Sequence, residues 1–215
     1  NEKTTVTIEN PSFVTLLENR FFDTIYHEHY SYLNAHSVKK IANNHGLHLV
    51  NVDQLTTHGG SNRYWLSKKN IVSDSVSNLL DYEKKMGLFD QNIWKSFSKK
   101  SFDTINKFRS WIKDRKKNAD IVVGYGAAHK GNTFLNSVGT SAKYLSYVVD
   151  ASEVKQGKFL PGSQIPVIAP EQLNLMKPTD VVILPWNIAD ELAVRISKLA
   201  PNARIWVAQP TLREV

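Results

Sequence analysis

With 215 residues, 41% hydrophobic and 22% charged, the chain has ordinary globular composition and can hold one large or two small packed domains. The lack of any cysteine excludes a disulfide framework and a thiolate zinc site built from this chain, which makes a cytoplasmic location the expectation. A net charge of +7 favours anionic partners, but no nucleic-acid motif accompanies the basic residues and no segment approaches the ~20 apolar residues of a membrane span, so neither nucleic acid nor membrane is expected.

In chain order, Thr5 to Glu9 is β-branched and alternating and reads as a strand, with Pro11 in the first turn of a helix running to about Arg20. An aromatic stretch follows, then a helix from about Ala35 to His45 that Gly46 closes by taking the left-handed conformation. Leu47 to Leu55 and Asn62 to Ser67 read as two strands of an antiparallel hairpin across the Gly59-Gly60 turn. From about Ser73 to Lys117 apolar residues recur at three-to-four spacing, which predicts two helices broken near Gly87. The cluster of Lys113, Arg115, Lys116 and Lys117 reads as the solvated end of the second, where cations offset the helix dipole. Asp120 to Gly124 is then a short apolar strand that runs into a glycine-bearing loop and a helix. Further strands are predicted at Tyr147 to Val149, Val181 to Leu184 and Arg204 to Ala208, with a helix after Pro185-Trp186-Asn187. Strands alternating with helices imply a doubly wound parallel sheet, so the fold class is α/β.

Six of the seven histidines lie between positions 27 and 58. His36, His45 and His48 sit on or beside a helix and call for no chemistry. The run Tyr26-His27-Glu28-His29 is different, because it packs a phenol, a carboxylate and two imidazoles into four positions. On one helical turn, Tyr26 and His29 would share a face at i, i+3 spacing and could act on one substrate. Imidazole can take a proton near neutrality and an adjacent carboxylate can hold the imidazolium, which makes a general base the sharper reading. The competing reading is a metal site on His27, Glu28 and His29 with His58 as a further donor. Gly59 and Gly60 beside His58 point instead to close approach of backbone to a ligand.

On these residues the chain resembles the sugar C-methyltransferases that act on nucleotide-linked 4-keto sugars. The resemblance rests on Phe22-Asp-Thr-Ile-Tyr-His-Glu-His-Tyr-Ser-Tyr32, Thr57-His-Gly-Gly-Ser61 with Arg63, and Gly124-Tyr-Gly-Ala-Ala-His-Lys-Gly-Asn132. Later stretches, Gln156 to Gly162 with Ile165-Pro166 and Ile183 to Asn187, extend it along nearly the whole chain. It implies that this is the C-terminal part of such an enzyme, inactive by itself because the loop for S-adenosylmethionine lies mostly elsewhere, with zinc only in an N-terminal module outside the chain. Residues 1–70 would hold the last part of a methyltransferase fold with the catalytic motif, 71–118 a helical linker, and 119–215 a Rossmann-like domain. His29 would be the base, Glu28 its orienting carboxylate, and Tyr26 the donor to an enolate oxygen as a methyl group enters at C3 of the sugar. The protein would be a monomer or weak dimer.

The loop from Gly124 to Gly131 is the second candidate site. Backbone amides at a helix start bind phosphate, and Lys130 adds a charge, so Gly124, Gly126, Lys130, Gly131 and Asn132 are expected to meet the diphosphate or sugar, together with His58, Gly59, Gly60, Ser61 and Arg63. Histidine stands at 129 where a dinucleotide fingerprint has its third glycine, while Asp150 ends the next strand where an acid grips a ribose. An NAD(P)-binding oxidoreductase domain is therefore one alternative. A module that only binds a nucleotide sugar is another.

Overall fold

The structure, a computed structural model, describes residues 4–215. By packing, the chain divides into two compact units, Asn1–Arg20 with Glu28–Ser98 and Phe21–His27 with Lys99–Val215.

The first unit is built on an antiparallel sheet of β1 (Thr5–Pro11), β2 (His48–Leu55) and β3 (Ser61–Ser67) in the order β1-β3-β2. The hairpin expected of β2 and β3 is present, and β1 adds to the other edge of β3, pairing Glu9 with Arg63 and Pro11 with Ser61. Pro11 thus ends a strand instead of opening a helix. The cap of α1 (Phe13–Asn19) is Ser12, whose hydroxyl accepts the Thr15 amide. Alternation along β3 turns Tyr64 and Leu66 inward, where they meet Leu49 and Val52 of β2, Val38 and Ala42 of α2 (Ala35–Asn44), and Val76 and Leu79 of α3 (Asp74–Lys85). The start of α2 carries an Asn34–Ser37 capping box. The buried Glu83 of α3 also accepts the amides of Ala35 at 2.6 Å and His36 at 3.2 Å, so the linker expected from residue 71 begins with a helix that shares this core.

Gly87, at φ 76°, separates α3 from α4 (Gln91–Lys117), as its position in the sequence predicts. Within the second unit α4 buries Ile105, Phe108 and Ile112. At its basic end Lys113, Lys116 and Lys117 are exposed, as the sequence suggests, while Arg115 is drawn inward. Arg115 lies 5.4 Å from the ring centres of both Trp111 and Trp206 and pairs with Asp120 at 3.5 Å, because a guanidinium is flat enough to stack while its edge still meets a carboxylate.

The second unit confirms the α/β class. Strands β4 (Val122–Tyr125), β5 (Tyr147–Val149), β6 (Val167–Ile168), β7 (Asp180–Ile183), β8 (Arg204–Val207) and β9 (Arg213–Glu214) form one sheet in the order β6-β5-β4-β7-β8-β9. All neighbours are parallel except β8 and β9. Helices α5 (His129–Val138), α6 (Gln172–Met176) and α7 (Ala189–Leu199) connect them. The two-residue strands β6 and β9 and the five-residue α6 were not foreseen, since elements so short carry no period to read. The strand order reverses at β4, so the connections leaving β4 and β7 run to opposite sides and open a crevice at the carboxyl ends of these two strands.

Candidate functional site

The loop after β4 meets the loop after β7 at this crevice, and the glycines of the first are explained by that meeting. A Cβ on Gly126, at φ 92°, would lie 2.5 Å from Pro185 Cδ, and one on Gly131 would lie 2.6 Å from Leu184 Cβ. Gly124 is tight as well, its Cβ falling 3.0 Å from Val148. Gly131 therefore performs the close helix-to-strand packing that the third glycine performs in a dinucleotide fingerprint, two residues further along the chain. Asp150 closes the loop on itself. Its carboxylate accepts the Ala127 amide at 2.7 Å, the Ser152 amide at 2.8 Å and Lys155 Nζ at 3.2 Å, so the acid that might have gripped a ribose is occupied by the loop's own backbone.

The carboxyl end of the crevice is covered by residues from far away in sequence. Phe21–His27 form a short strap that packs in this unit, although the residues on both sides of it belong to the other. A 3₁₀ turn at Phe22–Thr24 is closed by the Thr24 amide on Phe21 O at 3.1 Å and the Ile25 amide on Phe22 O at 3.0 Å. Phe21 stacks on Trp186 with centroids 3.9 Å apart, and Phe22 meets Phe134 of α5 at 6.1 Å. Between them Asp23, at 0% exposure, accepts the Trp186 indole N–H on Oδ2 at 2.7 Å, while its Oδ1 is buried with no partner among the described residues. Burial pushes the Asp23 carboxyl up from 3.8 to about 6, against the opposing pull of the Trp186 N–H and the Lys130 charge. Lys130 lies 4.5 Å from the Trp186 ring centre and donates to Asn187 Oδ1 at 3.3 Å, and burial lowers its pKa. Tyr26, half-buried, stacks on His129 at 5.5 Å with the rings 17° from parallel.

Of the predicted catalytic residues, Tyr26 belongs to this second unit and Glu28 and His29 to the first. The backbone of Tyr26, His27 and Glu28 is a bend and turn, not the helical turn that would have set Tyr26 and His29 at i, i+3 on one face. Among the predicted anion-binding residues of the first unit, Arg63 is held by Glu9. Its Nη2 and Nε reach Glu9 Oε2 at 2.8 and 3.2 Å, and that hydrogen bond lowers the Glu9 pKa. Ser61 is buried and donates to Thr57 O at 3.2 Å. Gly60, at φ 125°, packs where a Cβ would lie 2.8 Å from Thr15. His58 and Gly59 form the preceding turn, and His58 is exposed with φ 56°, a left-handed conformation unusual for a side-chain-bearing residue. In the second unit Gly124, Gly126, Lys130 and Gly131 gather at the crevice, and Asn132 follows with its Oδ1 buried and unpartnered among the described residues. Among the described residues no group of three or more histidine, aspartate or glutamate side chains is placed to hold a metal ion.

Sequence reasoning did not single out Asp23, Trp186 or Asn187 individually, and noted His129 only as a departure from the dinucleotide fingerprint. All four lay inside motifs already marked, but only the docking of the strap shows that they share one place.

The profile of the C-methyltransferase C-terminal domain family matches residues 56–209. Among curated proteins, C-methyltransferase NovU of Streptomyces niveus is 32% identical over 188 residues, a span covering 86% of this chain and 45% of that protein. The chain thus spans less than half the length of the relative it matches. With most of its residues inside the family match, the chain belongs to the C-methyltransferase C-terminal domain family.

Proposed function

We propose that the chain is the sugar-side part of a C-methyltransferase that moves a methyl group from S-adenosylmethionine to C3 of a nucleotide-linked 4-keto deoxy sugar. The reading is supported above all by the docking of the Tyr26 strap at the switch-point crevice, the place where doubly wound sheets take their ligands. The loop after β4 does not fit the methyl donor, because its Ala127 amide is given to Asp150 and its glycines are filled against Pro185 and Leu184. No step below runs through the donor.

The substrate's ketone acidifies the neighbouring C–H. His29 takes that proton, Glu28 holds the imidazolium that results, and the Tyr26 hydroxyl donates to the enolate oxygen, which gathers negative charge as the C–H bond breaks. Lys130 and the loop at Gly124–Asn132 meet the diphosphate, and His58, Gly59, Gly60, Ser61 and Arg63 are the polar group of the first unit proposed to bind substrate. Arg63 serves only if the anion displaces or joins Glu9. The partner on this reading is a nucleotide-diphosphate sugar.

Calorimetry on this chain tests the reading. A thymidine- or guanosine-diphosphate 4-keto sugar is expected to bind, and S-adenosylmethionine and NAD are not. Tight NAD binding would move the chain to the oxidoreductases, and sugar binding without any effect of His29 on turnover would leave a binding module.

A further inference from the structure

A buried carboxylate with one oxygen unpartnered among the described residues is a costly feature to keep, and the structure gives Asp23 one clear task. The strap it belongs to is short, and the amides of Thr24 and Ile25 and the Thr24 hydroxyl turn back on the strap itself. Among the contacts that hold it to the crevice are Phe22 on Phe134, Phe21 on the face of Trp186, Asp23 on the Trp186 N–H and Tyr26 on His129. Two of these converge on one indole. Trp186 is itself fixed in the loop after β7, its amide bonded to Leu184 O at 3.0 Å, with Lys130 beside its ring and Asn187 holding Lys130. Offset-stacked rings can slide over one another at small cost, whereas the N–H···carboxylate bond ties one atom of the strap to one atom of Trp186. Tyr26 follows Asp23 by three residues and stacks on His129 in that placement.

We propose that Asp23 and Trp186 are positioning residues that lock the Phe21–His27 strap to the crevice of the α/β unit and thereby fix where Tyr26 presents its phenol. The consequence for turnover rests on the reading of Tyr26 given under Proposed function. The lock itself does not.

Amide hydrogen exchange of the full chain reads the lock directly, at Thr24 and Ile25, with the amides of β4 and β7 as internal controls. Asp23→Ala removes the acceptor, and Trp186→Phe keeps a ring to stack on while removing the donor. Each is expected to lower protection at Thr24 and Ile25 by about tenfold or more, the equivalent of one charge-assisted hydrogen bond, without change in β4 or β7. Asp23→Asn still presents a carbonyl oxygen to the indole and is expected to keep protection within about twofold of wild type. Unchanged protection in Asp23→Ala and Trp186→Phe would overturn the proposal, as would a loss in Asp23→Asn equal to that in Asp23→Ala. In the longer enzyme the two loosening variants are expected to lose kcat with little change in KM. A loosened strap with wild-type turnover would remove Tyr26 from the chemistry and leave the lock standing, so the two readings fail separately.

Discussion

Asp23 and Tyr26 sit three positions apart, yet they show opposite relations between a residue and its surroundings. Tyr26 is half-exposed and stacked on another titratable ring, a position from which it can serve a ligand. Asp23 is sealed, and its charged form is penalised. Its carboxyl is more basic in the folded chain than in the unfolded one, about 6 against 3.8, so the native state holds the extra proton between those values. The stability this contributes is fully present below about pH 3.8 and is lost as pH rises through about 6. The one charged group that offsets the penalty for the carboxylate is Lys130, and burial lowers the pKa of Lys130 as well. Urea unfolding from about pH 4 to about pH 7 should therefore show wild type losing up to roughly 3 kcal/mol relative to Asp23→Asn, whose amide does not titrate. Parallel pH profiles for the two proteins would show that Asp23 is not the source. On the proposed mechanism, His29→Ala and Tyr26→Phe in a full-length enzyme are expected to lower turnover by about a hundredfold or more while nucleotide-sugar affinity stays near wild type, as for removal of a general base or an enolate donor. Wild-type kcat in both variants would end the assignment of these two residues.

At the scale of elements, the strand-loop-helix from Val122 to Val138 looks in sequence like a phosphate cradle, and in three dimensions two of its glycines also serve close packing against Pro185 and Leu184. Gly131 faces Leu184 so closely that an added methyl group would overlap a Cβ fixed to the β7 connection, with no flexible tip to swing aside. Helix propensity favours Ala over Gly by about 1 kcal/mol, but overpacking at this contact should outweigh it. Gly131→Ala is expected to destabilise the chain by about 1–3 kcal/mol in equilibrium unfolding. A stabilised Gly131→Ala variant would show that α5 can move off the sheet and that the glycine is kept for a ligand. The first unit gives the complementary lesson: the β2–β3 hairpin follows from alternation alone, but the place of β1 against β3 brings Glu9 to Arg63 and removes much of the free charge that the local sequence seemed to offer.

At the scale of the whole chain, some of the cations behind its net charge of +7 are engaged internally. Arg63 is on Glu9, Arg115 is between two indoles, and Lys155 is on Asp150. Among the described residues no helix is long and apolar enough to cross a membrane. Lys130 lies beside the crevice against Trp186 and Asn187, so the affinity for a diphosphate sugar should fall with added salt by the weight of one or two charges, not by the steep slope of a polyanion interface. Calorimetry of the chain at low and moderate ionic strength measures that slope, and a steep one would reopen nucleic acid as a partner.

The α/β class, the glycine-broken pair of helices, the hairpin and the motif head at Tyr26 to His29 were all legible in the sequence, because each depends on the period of apolar residues or on side chains adjacent in the chain. The short strands β6 and β9 were not, having too few residues to show a period. Nor was the ion pair that engages Arg63, or the engagement of Asp150 by its own loop, since both depend on which elements lie side by side. The tertiary structure alone decided that Phe21–His27 pack with residues a hundred and more positions later, because burial of two phenyl rings and one carboxylate against Phe134 and Trp186 is a non-local event that no spacing along the chain encodes.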